Sequence, residues 1–88
     1  MPPRKPPLHL GDRIRIAREA RGVSQIAMAK QFGVQQGQVW KWESGTRVPR
    51  LMKLMQIADF LEVSLDYLIR GDETHGPRRG GSTQRARA

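Results

Sequence analysis

The sequence has no cysteine, so neither a disulfide staple nor a thiolate metal site is available to it. Histidine is almost as scarce. His9 and His75 are the only two and both fall near the ends, which argues against a zinc centre and against any metal at all. No apolar run approaches the roughly 20 residues that cross a bilayer. The opening MPPRKPPLHL is basic but lacks the apolar stretch of a secretory signal. No nucleophile–base pair or metal cluster stands out, so the chain reads as a non-enzyme that needs no cofactor. Acid is also in short supply: eight Asp and Glu stand against sixteen Lys and Arg, a formal charge of +8. A cation of this size is drawn to polyanions, either nucleic acid or an acidic membrane face. The expected place is the cytoplasm, in association with the nucleoid.

The 88 residues suffice for one small domain. Such a domain buries only a modest share of its surface, and self-association is a usual source of extra stability. Four prolines in residues 1–10 forbid a helix through that segment. Residues 72–88 are rich in Gly and Arg and hold no large apolar side chain, so they cannot offset the entropy of ordering. Residues 1–10 are thus expected to be a disordered Pro/basic arm and residues 72–88 a disordered tail. The folded unit falls at residues 11–71, where ten Lys and Arg face six Asp and Glu.

Within that unit the period is helical, with no strict alternation. A first helix spans about Gly11–Arg21 and ends at Gly22 as a left-handed cap would end it. Ser24 suits the N-cap of a second helix that runs to Phe32, with Met28, Ala29 and Phe32 on its inner stripe. A third covers about Gln36–Ser44 and stops at Gly45. After GTRVP, a fourth runs from about Arg50 to Leu61 with an inner stripe of Leu51, Leu54, Met55, Ala58 and Leu61. Ser64 caps a last helix, Leu65–Ile69, closed by Gly71. The fold class is therefore all-α, with five short helices and no room for an ordinary enzyme cleft.

The second and third helices are separated by three or four residues, the spacing of a helix-turn-helix, in which the second helix can lie in the DNA major groove. On the third helix Val39 and Trp42 point inward with Val34. Gln36, Gly37, Gln38, Trp40 and Lys41 then look outward or sideways. Glutamine can make two bonds to adenine, and lysine can bond guanine acceptors or a phosphate. Gly37 allows close backbone approach. Trp42 is most simply core. Trp40, two residues earlier, does not share its face and has three readings: packing on the fourth helix, contact with a second subunit, or contact with DNA.

These residues resemble a known family. RIRIAREARGVSQIAMAKQFGVQQGQVWKWESG, then VP, a helix and EVSLDYL, is similar to the phage-repressor-type helix-turn-helix superfamily, which includes phage repressors and Cro proteins. The resemblance covers roughly residues 11–71. It implies that Gln25, first in the second helix, grips a phosphate. It implies base contacts by Gln36, Gly37 and Gln38, with Lys41 one turn later. Gln35 and the following loop residues Thr46, Arg47 and Arg50 would lie along the backbone. Arg18 and Glu43 would form a structural ion pair. The pattern departs from the family at Ile16 and Ile26, which are commonly polar. It departs also at Met28, at Trp40 and at Gln35, where a Ser or Thr cap is frequent.

The resemblance and the charge together point to a sequence-specific double-stranded DNA-binding regulator, a repressor that binds a palindromic operator as a homodimer. Leu65, Tyr67, Ile69 and Trp40 are candidates for the dimer surface. A second reading uses the same fold for protein or RNA contact through Ile16, Ile26 and Trp40. Within DNA binding, phage lysogeny control, restriction–modification control and an antitoxin role remain open.

Overall fold

The structure, a computed structural model, describes residues 8–71. The expectations for residues 1–7 and 72–88 lie outside the described residues. The five helices are α1 (Leu10–Ala20), α2 (Gln25–Phe32), α3 (Gln36–Ser44), α4 (Leu51–Leu61) and α5 (Leu65–Arg70). Their stops are local. Gly22, Gly33, Gly45 and Gly71 all take positive φ, where a side chain would be strained. Ser24 and Ser64 accept from the amides of Ala27 and Tyr67 at 3.0 and 2.9 Å, capping α2 and α5 as expected.

The start of α1 corrects the sequence reading. The sequence pattern puts His9 and Leu10 in the N-terminal arm, whereas Leu10 opens the helix and His9 is its N-cap. The ring Nδ1 accepts from the Asp12 amide at 3.3 Å, and the His9 amide donates to Asp12 Oδ2 at 3.2 Å. This is a capping box with histidine in the place of Ser or Thr, a substitution that cap statistics do not flag.

The core runs through all five helices. Ile14, Met28, Val39, Ile57, Leu61 and Leu68 are fully buried. Trp42 closes one side, edge-on to Phe32 at 6.2 Å between centroids, and Phe32 meets Phe60 at 5.5 Å in the same manner. Helix α3 packs on both α1 and α2. At the α1 crossing Gly11 is buried against the backbone carbonyls of Trp42 and Glu43, where a Cβ would overlap both. Arg13 ties the two ends of the described chain together. Its guanidinium donates to the carbonyls of Leu8, Leu68 and Ile69 at 2.6, 2.9 and 3.0 Å, which satisfies two orphan acceptors at the end of α5.

Helix α4 differs from its expected stripe. Leu54, Ile57, Ala58 and Leu61 are buried, whereas Leu51 and Met55 face outward. The helix is apolar on more than one face, so periodicity alone cannot choose which residues turn inward.

Candidate nucleic-acid interface

Gly33 reverses the chain after α2, and the Val34 amide bonds back to the Ala29 carbonyl at 3.0 Å. Three residues later α3 begins. Val39, Trp42 and Glu43 are its buried side. Gln36, Gly37, Trp40, Lys41 and Ser44 are exposed, and Gln38 is half-buried on the flank. The outer surface of α3 is therefore amides, a bare backbone patch, one lysine and one indole. Gln35 takes the N-cap position without a side-chain cap bond, as its departure from Ser or Thr implied.

A continuous hydrogen-bonded chain holds the front of this helix. Arg18 on α1 donates to both carboxylate oxygens of Glu43 at 2.6 and 3.1 Å, and to the Val23 carbonyl at 2.7 Å. Glu43 Oε1 also accepts from Gln25 Nε2 at 3.0 Å. Gln25 Oε1 in turn accepts from Gln36 Nε2 at 2.6 Å. Arg18 and Glu43 are 7% and 5% exposed, so the expected ion pair is present and buried. The bidentate bonds to Glu43 push the Arg18 pKa above the ordinary arginine value, against the opposing pull of burial. The spacing of Gln25 and Glu43 gave no hint of their contact. Two positions eighteen apart met only because α2 crosses α3.

The loop after α3 folds back on the helix. Ser44 Oγ lies 2.8 Å from Thr46 Oγ1, and the Arg47 amide donates to the Lys41 carbonyl at 3.1 Å. Thr46, Arg47 and Arg50 are all exposed, and Arg50 is the N-cap residue of α4. Several other cations have acid partners. Arg15 lies 3.7 Å from both Asp12 and Glu19, Arg21 3.0 Å from Glu62, and Arg70 3.9 Å from Asp66. Among the described residues Lys41, Arg47 and Arg50 have no such acid partner, and neither do Lys30 on α2, Lys53 on α4 and Arg13, which is bound to carbonyls. Between Ala20 and Ala58 the only acid is Glu43, already bound to Arg18. Three of these cations, Lys41, Arg47 and Arg50, sit on α3 and the loop that follows it. This asymmetry was visible in the sequence as a gap in the acids.

The residues considered for a subunit contact separate into two groups. Tyr67 is 7% exposed and belongs to the core, and Leu65 is half-buried against it. Burial on α5 leaves neither the free surface expected of it, because the short helix turns both toward the other helices. Ile69 and Trp40 are exposed. So are Val48, in the loop before α4, and Leu51, Met52 and Met55 on α4, an apolar strip. Of the two isoleucines considered as a docking patch, Ile26 is exposed and Ile16 half-buried. Among the described residues no cluster of His, Cys, Asp or Glu could hold a metal ion, and no helix is long and apolar enough to cross a membrane.

A five-helix bundle whose third helix stands on the surface, held from behind by its predecessor, defines a helix-turn-helix protein. Residues 14–68 match the helix-turn-helix family. The chain is 33% identical over 63 residues to the repressor protein C2 of Salmonella phage P22, covering 72% of this chain and 29% of that protein. It is 36% identical over 87 residues to a transcriptional regulator in the ATPase CF(0) region of Rhodospirillum rubrum, covering 91% of this chain and 81% of that one. A crystal structure of the P22 c2 repressor in complex with a synthetic operator superimposes with a TM-score of 0.68 at 33% identity. That match covers 73% of this chain and 97% of the other. The chain belongs to the helix-turn-helix family, and it spans 29% of the length of the P22 repressor protein that it matches.

Proposed function

We propose that this protein is a sequence-specific double-stranded DNA-binding repressor that binds a two-fold-symmetric operator as a homodimer, with α3 in the major groove. The observation that carries this reading is the coincidence on one surface of exposed amides and unneutralised cations. Gln36, Gly37, Gln38 and Lys41 supply the reading side, and Gln25, Gln35, Thr46, Arg47 and Arg50 the phosphate side. The P22 repressor in its operator complex, at 33% identity, supports the same assignment. Two copies of α3 would enter successive major grooves about 34 Å apart.

Phosphate contacts carry no sequence information but give affinity its salt dependence. Arg50→Ala is therefore expected to weaken binding to all sequences alike and to reduce the slope of log K against log salt by about 0.9. Titrations of operator and random duplex between 50 and 200 mM salt, roughly the range over which such contacts show, measure both. A loss confined to the operator would move Arg50 to the base-reading set.

The dimer surface best supported is the strip Val48, Leu51, Met52 and Met55, with Ile69 a further candidate. It follows directly on the loop behind α3, so a symmetric contact there would bring the two reading helices to one side of the pair. Met52 is 73% exposed, so a charge there is tolerated in the monomer. Met52→Glu is expected to shift the monomer–dimer midpoint at least tenfold toward monomer, the effect of about 1.4 kcal/mol, without changing the melting temperature of the monomer. Sedimentation equilibrium reads this. An unchanged midpoint would place the contact elsewhere.

A further inference from the structure

Trp40 stands outside the core. Trp42, Phe32, Phe60 and Tyr67 all pack into or against the core, whereas Trp40 is 52% exposed. The core therefore does not account for it. Its position on α3 is informative. It lies four residues after Gln36, so the two side chains share one flank of the helix, about 6 Å apart. Gln36 is pinned: its Nε2 donates one hydrogen to Gln25 Oε1 at 2.6 Å. Its other amide hydrogen and its Oε1 stay available, which is the pair needed to meet N7 and N6 of an adenine. With Gln36 on an adenine, a side chain one turn further along reaches the neighbouring base step. The apolar feature of the major groove at such a step is the C5-methyl of thymine.

The geometry points to Trp40 as a specificity-determining residue that recognises a thymine methyl next to the base pair read by Gln36. The inference rests on α3 lying in the major groove. An indole has no acceptor and one N–H, so its broad apolar face discriminates methyl from no methyl rather than one hydrogen-bond pattern from another. The departure at this position from a small or polar residue then has a function. It adds a contact that the amides of α3 cannot make. It also fits the local layout: Lys41 beside it covers a neighbouring direction with charge, and Gly37 leaves the backbone free to approach.

The test uses the full chain and a duplex obtained by selection from random DNA. Each thymine of the enriched site is replaced in turn by uracil, which lacks only the methyl. Wild-type protein is expected to lose about fourfold in affinity at one thymine per half-site, the equivalent of one buried methyl. Trp40→Ala should bind the thymine and uracil duplexes equally at that position, and Trp40→Phe should keep part of the discrimination. Melting curves of the variants should match wild type, since the residue is exposed. Equal loss by Trp40→Ala on every sequence, with the uracil effect intact, would instead make Trp40 a sugar–phosphate contact and overturn the inference. So would a shifted monomer–dimer midpoint without DNA, again with the uracil effect intact. Enrichment of no site at all would defeat the DNA reading itself. A site that changes with Gln36→Ala but ignores uracil would defeat only the role of Trp40.

Discussion

Arg18→Ala should lower the stability of the fold by about 3–5 kcal/mol, because it leaves the Glu43 carboxylate buried without its partner. Small domains hold only about 5–15 kcal/mol in total, so the variant is expected to be largely unfolded at temperatures the wild type survives. The cause is desolvation. Glu43 is 5% exposed and takes two of its hydrogen bonds from Arg18. With the guanidinium gone, only Gln25 remains to it, and the Val23 carbonyl loses a donor as well. Replacing both partners, as in Arg18→Met with Glu43→Leu, should recover most of the loss, since the cost lies in the unpaired charge rather than in the absent attraction. Urea titrations of the two single variants and the double variant separate these terms. A single Arg18→Ala variant within about 1 kcal/mol of wild type would mean that water reaches Glu43.

The pH behaviour of this pair follows from the direction of the Arg18 shift. Its folded pKa is raised, so the stability it contributes is fully present below the unfolded arginine value. That stability is lost only as pH rises through the raised folded value, in strong alkali. The arginine therefore gives the wild-type protein no pH dependence near neutrality.

The second large effect is on recognition. Gln36→Ala should cost about 1–3 kcal/mol on the preferred site, five- to over a hundredfold in affinity, and relax the preference at one base pair per half-site. The reason is geometric. Gln25 fixes the Gln36 amide before DNA arrives, so little rotamer entropy remains to be lost on binding. The same bond links Gln36 through Gln25 and Glu43 to Arg18, so the reading residue is braced from the core. Selection experiments on the wild type and the variant read the change in preference directly. An identical enriched sequence would remove Gln36 from the base-reading set. Because Gln36 is exposed, the variant should melt with the wild type, which distinguishes lost recognition from lost folding.

Much of the architecture was legible locally. Gly22, Gly33, Gly45 and Gly71 mark the helix stops because only the left-handed region closes these turns, and Ser24 and Ser64 mark two starts through a bond to an amide three residues on. The start of α1 was not legible, since a histidine ring nitrogen as N-cap is uncommon. Nor was the inner face of α4. Leu51 and Met55 fit a stripe as well as Ile57 does, and the choice depends on how α4 meets the rest of the bundle. Tyr67 shows the same limit. On a six-residue helix nearly every position can face inward, and the partners decided that this one does.

The sequence by itself determined the helices, the turn between α2 and α3, the excess of positive charge and the glutamines that front α3. Each depends on residues within a turn or two of one another, where backbone sterics and short-range hydrogen bonds act. The tertiary structure alone decided that Gln25 joins Glu43 to Gln36, that Leu51 and Met55 face outward from α4, and that Tyr67 joins the core. Those are relations between residues far apart in the chain. They arise because burying the apolar faces of five helices fixes how the helices cross, and the crossing determines which polar groups meet and which are left for a partner.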